Sequence, residues 1–258
     1  MYFEAMYHTA QGNWDEAVAL ARDSLALLSS LGNRQEAEIA GAIVANSLYY
    51  QGRFAQSFEY CEQIRDSATV RGNDHHAAWG WFLGGRALMG LGRLDEATLR
   101  LERGFTMLAS LDDVLSRIMC AGSLARTYLY AGRVADAERT ALGLEQDIRS
   151  QPALFLVQCL DGVVGLAEVA LHGSRHADSA FTRAAARRAC TALGQFACMF
   201  PIARPAAARH WAIYLSRSGH ARLARRLCVH AIRKAKALGM PYEEGRAHQA
   251  MLALAPAN

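Results

Sequence analysis

Histidine, cysteine and carboxylate side chains are the first candidates for chemistry in this chain, because they serve as metal ligands, nucleophiles and acid–base groups. The only adjacent histidines, His75 and His76, would point in different directions from the start of a helix. His172 and His176 are four residues apart but straddle a predicted turn at Gly173. The sequence contains no nucleophile elbow, phosphate-binding loop, dinucleotide-binding glycine motif or zinc-protease motif. We therefore expect a protein that is not an enzyme, with no metal and no cofactor.

The cysteines point to a reducing compartment. All six occur singly, and no two have the spacing of zinc ligands. In a chain of 258 residues with no visible signal peptide, this favours free thiols over disulfides. The most apolar stretch, residues 152–171, is interrupted by Asp161 and Glu168, which argues against a membrane span. We predict a cytoplasmic protein without membrane association.

Charge is distributed unevenly along the chain. Residues 1–172 contain 14 arginines against 21 acidic residues, whereas residues 173–236 contain 13 basic residues against one acidic residue. The candidate basic patch consists of Arg183, Arg187, Arg222, Arg226 and Arg233. A solvated outer face is the simpler interpretation, and an acidic protein or the acidic first half of another copy are the partners that this patch would attract. Nothing resembling an RNA-binding signature accompanies it, so we expect no nucleic-acid partner.

An internal repeat organises the chain. Four similar segments begin at residues 11, 51, 91 and 131, with the sequences QGNWDEA, QGRFAQS, LGRLDEA and AGRVADA. Looser copies begin at Gly173 and Gly219. A second turn marker follows each copy after about 20 residues, and these markers are Gly32, Gly72, Asp112, Pro152, Gly194 and Gly239. Between the markers, apolar residues recur at helical spacing. Each unit therefore predicts two helices joined by a turn.

The turn markers set the predicted helix boundaries. The paired helices span 1–10 and 14–30, 35–50 and 54–70, 75–90 and 94–110, 113–130 and 134–150, 153–171 and 176–192, and 197–217 and 220–237, with a last helix at 242–254. Pro201 and Pro205 predict that the helix at 197–217 starts late or is kinked. We predict an all-α, right-handed α-solenoid of about six 40-residue antiparallel hairpins. It forms a single domain over 1–258, with regular repeats at 1–152, irregular basic repeats at 153–239 and a terminal helix at 240–258.

The units resemble the tetratricopeptide repeat. Small residues recur in the first helices at Ala5, Ala45, Gly85 and Ala125, and a glycine precedes the second helices. Trp81, Gly84 and Tyr128 stand where that family favours Trp, Gly and Tyr. The period of 40 residues is longer than the usual 34. In this respect, and in the ending ALGMPYEE at 237–244, the chain is similar to the C-terminal repeats of bacterial signalling ATPases, class III nucleotide-cyclase proteins and LuxR-type regulators.

The resemblance implies a binding role. Because the ATPase, cyclase and DNA-binding motifs of those proteins are missing here, it implies a non-catalytic scaffold or sensor that binds a protein or peptide, as the regulatory part of a bacterial signal-transduction protein. The alternative is the ligand- or peptide-responsive sensor domain of a transcription regulator, and an enzyme ranks third. The chain opens within a first helix and closes on an unpaired one, which suggests a piece of a longer array or an array that needs a neighbour.

The same resemblance implies that the first helices line a concave binding groove. Asn46, Arg86 and Arg126 recur there at 40-residue spacing, with Glu168 in the fourth position. Their predicted neighbours in the groove are Tyr49, Tyr50, Trp79, Phe82, Met89 and Tyr130. This set fits an extended peptide that carries an acidic or C-terminal carboxylate group, similar to the carboxylate clamp of some tetratricopeptide domains, although the lysines of that clamp are absent. In the alternative, both arginines pair with acids of neighbouring helices and the aromatic rings belong to the core.

Overall fold

The chain folds into a series of antiparallel helix hairpins. The computed structural model describes residues 2–151 and 156–254, which contain thirteen α-helices and no β-strand. The helices are α1 (Tyr2–Gln11), α2 (Trp14–Ser30), α3 (Arg34–Tyr50), α4 (Phe54–Val70), α5 (Asp74–Gly90), α6 (Leu94–Ala109), α7 (Val114–Tyr130), α8 (Val134–Ser150), α9 (Leu160–Gly173), α10 (Arg183–Met199), α11 (Arg204–Arg217), α12 (Ala221–Ala237) and α13 (Pro241–Ala253). The all-α repeat solenoid predicted from the sequence is confirmed.

Turn residues with positive φ separate the helices α1–α8, and we call these eight helices the regular repeats. Glycines with φ between 60° and 83° occupy positions 12, 32, 52, 72, 92 and 132 in these turns, and positions 219 and 239 in the turns on either side of α12. Asp112, with φ of 51°, takes the corresponding place between α6 and α7. A side chain disfavours this left-handed conformation and glycine does not. The turns therefore lie where the sequence predicts them, and each regular helix begins and ends within about one residue of its predicted bounds.

The fifth repeat departs from the prediction. Residues 152–155, with the marker Pro152, lie outside the described residues, and α9 begins only at Leu160, after a short 3₁₀ turn. The second helix predicted at 176–192 is wrong, because α10 spans Arg183–Met199. Its start is set by Thr182, whose hydroxyl accepts a hydrogen bond from the Ala185 amide at 3.2 Å.

Of the two turn markers predicted for this repeat, one holds and one is wrong. Gly173 is the last residue of α9 and a turn follows directly from Ser174, although Gly173 has no positive φ. Gly194 has the spacing of the repeat but lies inside α10. In the sixth repeat, α11 starts late at Arg204, after a 3₁₀ turn that begins at Pro201, as the prolines predict.

Small residues allow the helices to approach closely. The small residues predicted in the first helices, Ala5, Ala45, Gly85 and Ala125, are all buried, as are Ala167 and Ala212 in α9 and α11. A Cβ added to Gly85 would lie 3.1 Å from the backbone carbonyl oxygen of Ala97 in α6, so the position has no room for a side chain. Small residues near the start of the second helices are buried as well, at Ala17, Ser57, Ala97, Ala137 and Ala224.

The two ends of the helix array contact each other. The indole Nε1 of Trp14, at the start of α2, donates a hydrogen bond to the carbonyl oxygen of Leu238, between α12 and α13. The rings of Phe54 in α4 and Tyr242 in α13 meet edge to face with centroids 5.3 Å apart. The terminal helix therefore packs against α11 and α12 and also reaches the second repeat.

Candidate functional site

A largely apolar cavity of about 380 Å³ lies among the first helices of the regular repeats. We call it the large cavity, to distinguish it from a much smaller cavity beside it. Helices α1, α3, α5 and α7 and residues 156–158 contribute to its wall. The apolar side chains lining it include Met6, Ile39, Ile43, Trp79, Phe82, Leu83, Leu115, Met119, Leu156 and Val157. Its size and composition are those of a site for a small ligand or for one or two large side chains of a peptide.

A buried cluster of charges closes one end of the cavity. The Arg86 guanidinium, 1% exposed, donates to the carboxylate of Asp161 in α9 and to the side-chain oxygen of Asn46. Tyr50 donates to the same carboxylate at 3.4 Å, and the Tyr49 ring lies 4.1 Å from the guanidinium carbon. Burial is the largest single influence and opposes the charged form of Arg86, but Asp161, Tyr50 and Tyr49 together outweigh it and raise the pKa of Arg86.

A second ion-pair group adjoins the first. Arg126 lies 3.9 Å from Asp161 and 3.2 Å from the carboxylate of Glu168. Glu168 also accepts hydrogen bonds from the Tyr130 hydroxyl and from Arg246 of the terminal helix. Burial would raise the pKa of Glu168, but Arg246 and Arg126 outweigh that effect and hold its pKa well below the usual range. The cavity end is thereby connected to α13 through a continuous set of ion pairs.

The opposite rim of the cavity carries a smaller polar group. His75 Nε2 lies 2.5 Å from the Asp113 carboxylate, which also accepts the Ser116 amide hydrogen bond at 3.0 Å and caps α7. Trp79 Nε1 donates to the Ser116 hydroxyl at 2.9 Å, which fixes the indole against the cavity. Burial raises the pKa of Asp113, whereas the hydrogen bonds from Ser116 and His75 lower it. The net effect is a lowered pKa, so this carboxylate is ionised near neutral pH.

The predicted groove residues divide among several places. Asn46, Tyr50, Trp79, Phe82 and Arg86 line the large cavity. Tyr49 and Arg126 line a neighbouring cavity of about 20 Å³, which has room for about one water molecule. Tyr130 contacts Glu168, whereas Met89 packs in a separate group with Leu88 and Ala97. The five residues of the candidate basic patch are exposed on α10 and α12.

Arg86 and Arg126 pair with acidic residues of a neighbouring helix, which is the alternative that the sequence left open. Arg86 and Arg126 bind Asp161 and Glu168 of α9 in place of a ligand carboxylate. The sequence pattern missed Asp161 and Arg246 as partners, and it missed the His75–Asp113 rim. One signal was present, because two carboxylates inside the apolar stretch 152–171 require buried counter-charges.

Within residues 2–151 and 156–254, no group of three histidine, cysteine, aspartate or glutamate side chains could hold a metal ion. None of the helices described is both long and apolar enough to cross a bilayer.

Comparison with known proteins supports the repeat assignment. The family model described as Tetratricopeptide repeat matches residues 5–28. No curated protein matches the chain in sequence. The fold is similar to that of the apo form of RapI, with 13% identity, a TM-score of 0.68, and coverage of 92% of this chain and 83% of that chain.

Two further solved structures share the fold. A Rap protein complexed with Competence and Sporulation Factor has 13% identity and a TM-score of 0.65, with coverage of 98% of this chain and 73% of that chain. BtubC from P. vanneervenii has 13% identity and a TM-score of 0.60, with coverage of 87% of this chain and 92% of that chain. The predicted resemblance to tetratricopeptide repeats is confirmed, and at these identities the structural likeness establishes the fold alone.

Proposed function

We propose that this chain is a non-catalytic, peptide-binding regulatory scaffold and that the large cavity is its binding site. The observation that carries the proposal is the cavity of about 380 Å³, whose wall combines apolar side chains from four first helices with a few fixed polar groups. Such a wall accepts an aromatic or aliphatic anchor side chain of an extended peptide. A Rap protein of similar fold has been solved complexed with Competence and Sporulation Factor, which supports a ligand-binding role for this architecture.

The charges around the cavity restrict the proposed ligand. Arg86 is already neutralised by Asp161, so a ligand carboxylate reaches Arg86 only by displacing Asp161. The small cavity beside Arg126 has no room for a carboxylate group. The principal contact is therefore apolar, and an acidic group on the peptide adds to binding only through that exchange. A bacterial signalling role belongs to this proposal and rests on the sequence resemblance, and a cytoplasmic location rests on the single cysteines.

Filling the cavity tests the proposal. Ala42 of α3 lines the cavity, and Ala42→Phe would place a ring inside it, whereas Ala26→Phe would add the same ring on the exposed side of α2. A random heptapeptide library is selected on the wild-type protein, and the enriched peptides are measured by calorimetry on both variants. We expect peptides with a large apolar residue, at least ~10-fold weaker binding to Ala42→Phe, and unchanged binding to Ala26→Phe.

Two outcomes would contradict the proposal. If no peptide is enriched, the peptide-binding function is wrong. If peptides bind but Ala42→Phe has no effect while circular dichroism shows an intact fold, the cavity is not their site.

A further inference from the structure

The outward side of α12 carries a line of basic side chains. Arg222, Arg226, Arg233 and Lys236 are exposed and have the spacing that places residues on one side of a helix. The opposite side of α12 is buried through Ala224, Cys228, Ala231 and Ala235. We call the four exposed residues the basic stripe.

The basic stripe has no carboxylate partner in the part of the chain that the structure describes. The sequence explains this, because no aspartate or glutamate occurs between Asp178 and Glu243. Exposed Arg183 and Arg187 on α10, another outward-facing helix, add to the same charge. Together these cations form a strongly positive outer surface over α10 and α12, which attracts anionic partners over a Debye length.

A partly buried histidine lies beside the basic stripe. Burial, Lys234 and Arg233 all lower the pKa of His230, which lies on α12 beside the basic stripe. Its ring faces the Arg233 guanidinium at 3.3 Å, and no acidic side chain on α12 offsets these charges. The positive potential is thus a property of the folded helix as well as of the sequence.

The basic stripe also contains an apolar element. Val229 is 51% exposed and lies between Arg226 and Arg233 on the same outward side of the helix. Leu223, 47% exposed, lies near its edge. Aliphatic side chains framed by arginines are typical of protein-binding surfaces, in which a desolvated centre is surrounded by charged groups. Phosphate backbones require cations alone, and α12 presents no exposed aromatic or amide side chain suited to reading bases.

We propose that the basic stripe, with Val229 at its centre, is a docking surface for an acidic amphipathic segment of a partner protein. Guanidinium groups pair with carboxylates of the segment, and Val229 contacts an aliphatic side chain on it. This surface is separate from the large cavity, to which no residue of α12 contributes. The proposal therefore does not depend on the peptide-binding function.

The test uses a defined acidic probe. A fluorescein-labelled Glu/Leu peptide of about five helical turns, with leucines at i, i+3 and i+4 positions, is titrated with the full chain by fluorescence anisotropy. A Gln/Leu peptide of the same pattern is the neutral control. We expect the acidic peptide to bind at least ~10-fold more tightly than the neutral peptide at low salt, and its affinity to fall as added salt shortens the Debye length.

Matched variants locate the surface. Arg222→Glu/Arg226→Glu should weaken binding of the acidic peptide by at least ~10-fold, because two attractive contacts become repulsive. Arg34→Glu/Arg103→Glu introduces the same charge change at exposed sites on α3 and α6 and should leave binding unchanged. Val229→Ser should weaken peptide binding by roughly 3-fold through the lost apolar contact.

Other occupants would give different results. Absence of low-salt binding, or equal effects of the two double variants, would overturn the proposal. Tighter binding of a duplex DNA, unaffected by Val229→Ser, would make the surface a nucleic-acid site. Low-salt self-association of the chain that Arg222→Glu/Arg226→Glu abolishes would instead identify a second copy as the occupant.

Discussion

The regular repeats and the basic region formed by α10–α12 use the same arginine-rich composition in opposite ways. On the regular repeats, most outer arginines are paired with carboxylates, for example Arg65 with Glu62 at 2.7 Å and Arg117 with Asp147 at 2.8 Å. On α12 the basic stripe faces solvent without such partners in the described structure. Arginine-rich composition alone does not explain the unpaired stripe, because the same composition yields a paired surface elsewhere in the chain.

The two regions also differ in how closely they follow the repeat. Along α1–α8 the helices keep the 40-residue period of the sequence, whereas α9 begins late and its backbone packs directly against that of α7. A Cβ on Gly122 would lie 2.3 Å from the carbonyl oxygen of Asp161 and 2.4 Å from the Cα of Gly162. A Cβ added to Gly165 would likewise lie 2.3 Å from the carbonyl oxygen of Gly122. This glycine contact marks the place where the 40-residue register ends.

The largest loss of stability is expected from disrupting the glycine contact between α7 and α9. Gly122→Leu would force α7 and α9 apart, because the blocking atoms belong to the backbone and cannot rotate away. We expect the variant to lose most of its helical circular dichroism signal at 25 °C. Gly143→Leu, at an exposed position of α8 with no atom within 4 Å of its added Cβ, is the control and should fold. A folded Gly122→Leu variant with native stability would show that the close contact is not required.

Asp161 is the next position that distinguishes the two regions, because it extends from α9 into the regular repeats. Asp161→Asn keeps the shape of the side chain but leaves buried Arg86 without its counter-charge. Removing one partner of a buried pair costs about 3–5 kcal/mol. Asp147→Asn removes the partner of Arg117 on the outer surface, where side chains are 24% exposed, and should cost less than ~1 kcal/mol. Urea unfolding measures both values, and equal losses would contradict the distinction.

Helix boundaries in the regular repeats could be predicted because each depends on a local signal. A residue with positive φ ends each helix there, and glycine at 12, 32, 52, 72, 92 and 132 makes the signal visible in the sequence. In the fifth repeat, Gly173 ends α9 as its spacing predicts, but Gly194 has the expected spacing and lies inside α10. The effective signal was the Thr182 cap, which the repeat pattern concealed.

The candidate site was only partly predictable for a different reason. The recurring column of Asn46, Arg86 and Arg126 follows from the repeat, and these residues do come together. Their counter-charges do not follow from it, because Asp161 is 75 residues from Arg86 and Arg246 is 78 residues from Glu168 in the sequence. Pairing over such separations depends on how α9 packs against the regular repeats and α13 against α9, which no single repeat encodes.

The buried charges of α11 predict a pH effect that belongs to the second half of the chain. Burial and Arg209 lower the pKa of His210 to about 3, against the opposing effect of Glu168. Unfolded histidine has a pKa of about 6.5, so below that pH only the unfolded state binds the proton. Stability should therefore fall by up to ~1.4 kcal/mol per pH unit as the pH falls from about 6.5 towards 3.

Unfolding free energies between pH 7 and 5 measure this slope. His210→Gln should reduce it, because the variant has no proton to bind at that position. His248→Gln changes an exposed histidine on α13 and serves as the control. The lowered pKa values of Glu38 and Asp113 add their own loss of stability only when the pH approaches the unfolded values near 4, below the measured window. An unchanged slope in His210→Gln would contradict the assignment.

The smallest effect tests the surface comparison directly. Arg117→Ala removes a paired arginine and should lower stability by less than ~1 kcal/mol, because its two hydrogen bonds to Asp147 are lost. Arg226→Ala removes a like charge four residues from Arg222, so it should leave stability unchanged or raise it slightly, most at low salt. Both changes replace arginine with alanine in a helix, so the difference between their thermal midpoints isolates the charge environment. If Arg226→Ala is as destabilising as Arg117→Ala, the basic stripe stabilises the fold and its charges are not free to serve a partner.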